Sequence, residues 1–403
     1  MLADSGEVST RVSTIRLKHM TQDIRDLLPS PTGLLALGEP AHRDPAFGWV
    51  RNDIVARLID HGFRSIALEI DRVGALVVND FVHDGLGSLD EAMSAFSHDF
   101  GNLATNRQLV AWMRDYNAEL PREQRLTFHG FDAPLETFSA PSPRPYLEHA
   151  RDYLGLDLDI ANLTGEDERW SRAEAVLDPA ASPGATAEAD RLRAIADDLF
   201  TSLHARAPEL IAATSHDQWV RVRTHLTAGI GLLRYHAQSA RPGDQSTRVS
   251  RLAATRDALM ARNLLDIRGL EARRGATLVY AHNQHLQKAG SVITTPELNL
   301  TWFGAGSIVN SLAPEPYTFV AGSLGRSETL GIADPEPGTY ESLFHERIGT
   351  WGFVPTQADA HAHVRTGITP QQGYVPLDAA TLDGADAVLH IHDSAAVRAP
   401  GAV

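Results

Sequence analysis

The chain contains no cysteine, which excludes a thiolate nucleophile, a Cys-ligated zinc and any disulfide. Lys18 and Lys288 are its only lysines, so arginine carries nearly all the positive charge. That skew fits a GC-rich bacterial coding sequence better than a mechanism. Basic residues are outnumbered 36 to 51, and the net charge of −15 argues against nucleic acid or an anionic membrane as partner. No apolar run is long enough to span a bilayer. Met1–Glu7 lacks the basic start and apolar core of a signal peptide. A cytoplasmic protein is the expectation. No phosphate-cradling or dinucleotide-binding glycine pattern stands in the right context, and no cofactor is expected.

What is present is ample core material: 43% of the 403 residues are hydrophobic. Short apolar runs predict strands over Leu34–Leu37, Ser65–Ile70, Leu126–Phe131, Thr277–Ala281, Tyr317–Ala321 and Ala387–Ile391. They alternate poorly, as strands covered on both faces do. Helical patterns separate most of them, so the expected fold is α/β: a mostly parallel, doubly wound sheet with helices on both faces. Leu89–Leu120 reads as one helical stretch, and Tyr146–Arg274 as a large inserted helical cap walling a large apolar cleft. The cap is broken at Pro179–Gly184 and Arg241–Asp244, both rich in turn residues. The organisation expected is 1–145 as the first part of the core, 146–274 as the cap and 275–403 as the rest of the core.

The most informative segment is Leu34-Leu35-Ala36-Leu37-Gly38-Glu39-Pro40-Ala41-His42. An apolar strand ends in glycine, and a carboxylate and an imidazole follow three residues apart. Ligands of parallel α/β sheets sit beyond the carboxyl ends of the strands. Glu39 and His42 are therefore candidates for acid/base chemistry. Asp44 and Pro45 then read as N-cap and first residue of a helix. On it Phe47, Arg51, Ile54, Val55 and Leu58 share one face. A buried lone charge is costly, so Arg51 should pair with a carboxylate, Glu39 or Glu69. Glu69 closes the next strand; if the two strands are neighbours, all three side chains converge near His42.

A second cluster, Tyr280-Ala281-His282-Asn283-Gln284-His285, also follows a short apolar strand. Two imidazoles three residues apart at a strand end point to a site. Asp132 is a third strand-end acid, with a turn or N-cap role as its plainer reading. Glu39, His42, Glu69, His282 and His285 can be drawn as a metal site, but Glu39-x-x-His42 lies on a strand-to-helix loop, unlike the helical zinc pattern. Ala321-Gly322-Ser323-Leu324-Gly325 misses the nucleophile elbow at its first position, has no clear helix after it, and reads as a tight turn.

These residues resemble the erythromycin esterase family along nearly the whole chain. Gly38-Glu39-x-x-His42 with Arg51 is similar to its first motif, and Gly62-Phe63 with the strand ending in Glu69 to its second. Gly130-Phe131-Asp132, Arg256–Asn263, Ala281-His282-Asn283-x-His285, Pro337–Glu341 and Ala385–Ile391 follow in the family's order. Arg43 and Ala41 depart from it beside His42, where many relatives have a small residue and a hydroxyl or amide. The resemblance implies metal-independent hydrolysis of an ester or lactone in a bulky natural product. It implies that His42 takes the proton from water, that Glu39 or Glu69 orients it, and that Arg51 tempers the carboxylates. His285 would position the carbonyl or stabilise the oxyanion, with His282, Asn283 and Asp132 binding substrate. Three rivals stay open: a tailoring enzyme catalysing elimination, cyclisation or transfer, a binding or immunity protein, and a metal-dependent hydrolase.

Overall fold

The computed structural model describes residues 23–26, 33–295, 297–356 and 361–398. Met1–Glu7, read above for a signal peptide, lie outside them. Among the described residues nine strands form: β1 (Leu34–Glu39), β2 (Phe63–Asp71), β3 (Thr127–Asp132), β4 (Ala276–His282), β5 (Gly290–Thr294), β6 (Asn299–Phe303), β7 (Tyr317–Arg326), β8 (Trp351–Val354) and β9 (Ala387–Asp393). Seven of them make one sheet in the order β3-β2-β4-β1-β7-β9-β8. Every pairing in it is parallel except β8 with β9. This is the doubly wound α/β fold that the apolar runs predict. β5 and β6 form a separate antiparallel hairpin.

The two faces of the sheet read out directly from β1, where all six residues are buried. Leu35 and Leu37 point to a core that includes Phe47, Ile54 and Leu58 of helix α1 (Pro45–Leu58). Leu34 and Ala36 point to the opposite core, which holds Met260, Leu264 and Ile267. This is the period of two expected of a strand. Asp44 caps α1 by accepting the Ala46 N–H at 2.9 Å, and Pro45 sits at the first turn, where its missing N–H is harmless. The cap fixes the loop that carries His42. After α1, Gly62 takes φ of +83°, a left-handed conformation that stops the helical turn and turns the chain into β2.

β1 and β2 are not neighbours. β4 stands between them, pairing Leu37 with Tyr280 on one side and Leu68 with Tyr280 on the other. The chain therefore winds outward through β2 and β3 and returns to fill the gap, so the carboxyl ends of β1, β4, β2 and β3 lie side by side.

The stretch Leu89–Leu120 is not one helix. It divides into Leu89–Ser94 and α2 (Ala104–Asn117), and in the break His98 and Asp99 adopt φ of 59° and 60°. Between β3 and β4 the chain is helical, and its main elements are α3 (Arg144–Leu154), α4 (Ala187–Ala205), α5 (His216–Ser239) and α6 (Gln245–Glu271). This region has its own apolar cluster around Leu147, Trp170, Leu192, Leu199 and Leu226. A smaller cluster joins it to Ala133, Leu135 and Ala140, just beyond the end of β3. No described helix is long and apolar enough to cross a membrane.

Candidate active site

Glu39 ends β1 and His42 follows on the capped loop. Nδ1 of His42 donates to Oε1 of Glu39 at 2.9 Å, while the Tyr280 hydroxyl donates to Oε2. A carboxylate on Nδ1 holds the ring proton there and leaves Nε2 with its lone pair. The His42 side chain keeps 33% of its surface exposed, so this nitrogen belongs to a group that solvent can reach. Burial alone pushes the imidazole's pKa down; the charges of Glu69 and Glu39 outweigh it and raise the pKa above the ordinary value.

Glu69, near the end of β2, is the hub. Its Oε1 lies 3.9 Å from Nε2 of His42, 3.3 Å from Nε2 of His285 and 3.1 Å from an Arg256 nitrogen. Its Oε2 accepts the His282 backbone N–H at 2.9 Å. Burial would raise its pKa, but His285, His42, Arg256 and that N–H together hold it far below the carboxylate range.

His285 is held by carboxylates on both nitrogens. Nδ1 donates to Oδ1 of Asp257 at 2.8 Å, and Nε2 faces Glu69. Against burial, Asp257 and Glu69 raise its pKa to about 8, so it is an imidazolium at neutral pH. Asp257 is itself pinned by the Trp302 indole N–H and the Ala305 backbone N–H, both at 2.8 Å. The β5–β6 hairpin thus buttresses His285 through one carboxylate.

The structure places Glu39, His42, Glu69 and His285 together and corrects four other expectations. Arg51 is buried on the apolar face of α1, but neither carboxylate is its hydrogen-bond partner. It donates to Asn52 and Asn106 Oδ1 and to the Thr105 carbonyl, and its guanidinium lies 4.8 Å from the centroid of the Tyr280 ring. It acts on Glu39 through its charge and through Tyr280, whose ring it faces and whose hydroxyl donates to Glu39. His282 has spent both ring nitrogens: Nε2 donates to the Pro40 carbonyl at 3.1 Å and Nδ1 accepts the Gln284 N–H at 3.2 Å. Burial, then the His42 charge, drives its pKa down to about 3, so it is neutral. Asn283 bridges to the backbone of Gly322 with both amide atoms, at 2.9 Å each. A Cβ on Gly38 would stand 2.1 Å from that Asn283 oxygen, which is why glycine precedes Glu39. Asp132 is wholly buried, gripping Arg256 and accepting from Nε2 of His98 at 3.1 Å. None of His282, Asn283 and Asp132 offers a free polar atom to a substrate.

Arg256, Asp257, Tyr280 and His98 join the cluster without having been assigned a role from sequence. Asp257 carried a signal: with Met260, Leu264 and Ile267 it lies on the buried stripe of α6, the same argument that singles out Arg51. His98 carried none, because it sits in the break of an apparent helix. That break also lays Phe100 against His42, with ring centroids 5.2 Å apart.

Ser323 lies inside β7 rather than in a turn, buried and hydrogen-bonded to His390 at 2.9 Å, so it cannot serve as an exposed nucleophile. A cavity of about 30 Å³ is lined by Glu39, His42, Glu69, Phe100 and Tyr280. Two larger cavities among the described residues border the helical region, carry many charged groups, and include none of the cluster.

The family model of erythromycin esterase matches residues 59–394. No curated protein matches the chain. Among solved structures, a Bacillus cereus protein is similar at 16% identity over 94% of each chain, with a TM-score of 0.65. A succinoglycan biosynthesis protein is similar at 16% identity over 94% of this chain and 93% of that one, with a TM-score of 0.66. A histidine-to-asparagine mutant of the erythromycin esterase EreC, in its open conformation, is similar at 19% identity over 94% and 96%, with a TM-score of 0.65.

Proposed function

The chain belongs to the erythromycin esterase family, and from that premise we propose that it is a hydrolase in which His42 activates water against an ester or lactone carbonyl of a bulky natural product. The observation that carries the reading is the Glu39–His42 hydrogen bond. It fixes the proton on Nδ1 and reserves Nε2 as the base. The cavity that His42 shares with Glu39, Glu69 and Tyr280 is about 30 Å³ and polar on several sides, and roughly 10–15 Å³ suffices for one water.

In the proposed step the water oxygen bonds to the carbonyl carbon while its proton passes to Nε2 of His42. The carbonyl electrons move to oxygen, and the positive charge of the His285 imidazolium stabilises that oxyanion. Its Nδ1 is committed to Asp257, while its Nε2 makes only a 3.3 Å ion pair with Glu69 and is the N–H that can turn to the substrate. When the tetrahedral adduct collapses, the ester C–O bond breaks and His42 returns the proton to the leaving alkoxide. Glu69 holds both imidazoles and Arg256 in place. No covalent enzyme intermediate is needed, and the burial of Ser323 supports that reading.

Incubation with erythromycin and mass spectrometry of the product tests the proposal. The expected product is heavier than the macrolide by one water, and its formation is abolished in His42→Ala. A product lighter by one water would favour elimination instead, and an unchanged panel of macrolides and simpler lactones would contradict the hydrolase reading.

A further inference from the structure

We propose that the helical region binds a multiply charged organic phosphate in an arginine-lined cavity separate from the catalytic cluster. The cavity measures about 410 Å³ and lies among α4, α5 and α6. Arg72, Arg193, Arg223, Arg234 and Arg262 line it, against Asp197 and Asp266. With Arg193 also paired to Asp190 outside the lining, the local excess is two positive charges, in a chain whose net charge is −15, so composition does not account for it.

The two carboxylates do not satisfy the five guanidiniums. Asp266 is already shared, pairing with Arg72 through one oxygen and with Arg223 at 2.6 Å through the other. Arg193 turns to Asp190 and to the Gly184 carbonyl. Arg234 and Arg262 form no ion pair among the described residues. Arg262 donates only to the Thr227 carbonyl, at 3.1 Å, and its Nε is buried with no partner. Burial, then the like charges of Arg234 and Arg72, lower its pKa to about 10. Such crowding disfavours the unliganded arrangement and favours any anion that enters it.

The ligand class follows from the donors. Guanidinium forks chelate the oxygens of phosphate in parallel hydrogen bonds. A single carboxylate would leave half of the excess charge unmatched, whereas a phosphate ester carries roughly two negative charges. Phe200, Ile230 and Leu233 supply an apolar wall for the organic body. Neither His42, Glu39, Glu69, Asp257 nor His285 lines the cavity, so occupancy does not compete with the hydrolytic site.

The test is isothermal titration calorimetry of the full chain with inorganic pyrophosphate at constant ionic strength. Saturable 1:1 binding is expected, weakened about tenfold or more in Arg262→Gln, since charge-assisted bonds are the strong ones. The exposed Arg234→Gln is the second variant and should weaken binding in the same direction without disturbing the fold. Absence of saturable binding, or affinity unchanged in the folded variants, would overturn the site. Citrate binding as tightly as pyrophosphate would overturn the phosphate assignment.

Discussion

His42 and His285 come from different strand ends yet address one carboxylate oxygen: Oε1 of Glu69 lies 3.9 Å from Nε2 of the first and 3.3 Å from Nε2 of the second. The environments of the two rings differ in kind. His42 has one close carboxylate on Nδ1 and an open Nε2; His285 is bracketed by Asp257 and Glu69. Both rings are held above the ordinary imidazole pKa, but only His42 keeps an Nε2 with no hydrogen bond and no carboxylate nearer than 3.9 Å, which is what a base needs. His285 is the ring lifted to about 8 between two carboxylates. The proposal rests on that asymmetry.

The pH profile should report it. Hydrolysis needs neutral His42 and protonated His285, so kcat/KM should fall on both sides of an optimum. The alkaline limb belongs to His285, whose pKa is raised to about 8. Losing the Asp257 charge removes the larger of the two carboxylate effects that raise it, and Asp257→Asn should therefore move the alkaline limb to lower pH. An alkaline limb unmoved in a folded variant would contradict the assignment.

Glu39 should matter through tautomer and Tyr280 through Glu39. Glu39→Gln keeps the shape but loses the acceptor charge that fixes Nδ1–H, and kcat should fall by about 10²–10⁴-fold. Tyr280→Phe removes one hydrogen bond to that carboxylate. A bond to a charged group is worth about 1.5–3 kcal/mol, so a loss of about ten- to a hundredfold is expected. Equal effects of the two variants would place the hydroxyl itself in the chemistry.

Arg51 should act on stability before chemistry. Arg51→Met leaves the Oδ1 atoms of Asn52 and Asn106 without their donor, at about 1–3 kcal/mol for each buried acceptor left bare, while the Thr105 carbonyl keeps the Asn52 amide. A fall in the urea midpoint is the expected result. Unchanged stability with lost turnover would return Arg51 to a catalytic role.

Apolar runs made the core strands legible, because a strand covered on both faces must be apolar throughout. β8 was not, since four residues on an antiparallel edge leave no pattern. The acid and base at the end of β1 were legible from position alone. The partner of Arg51 was not, because a strand from much later in the chain fills the gap beside β1. Burial of Arg51 follows from helix periodicity; the asparagines and tyrosine that receive it follow only from tertiary packing. His98 illustrates the converse: two consecutive left-handed residues broke an apparent helix and delivered it to Asp132.

Activity should survive dialysis against EDTA. Nδ1 of His42 and Nδ1 of His285 already donate to carboxylates, and no group of three His, Asp or Glu among the described residues is placed to hold a metal ion. Loss of turnover on chelation, restored by zinc or manganese, would favour the metal-dependent alternative.

The most direct measurement is kcat for macrolide hydrolysis in His42→Ala, His285→Ala and the double variant, each shown to be folded by circular dichroism. His42→Ala should lose about 10²–10⁴-fold, as a missing general base does. The double variant should lose much less than the product of the single losses, because both side chains serve one transition state. Near-normal turnover in folded His42→Ala, or losses that multiply independently, would contradict the account.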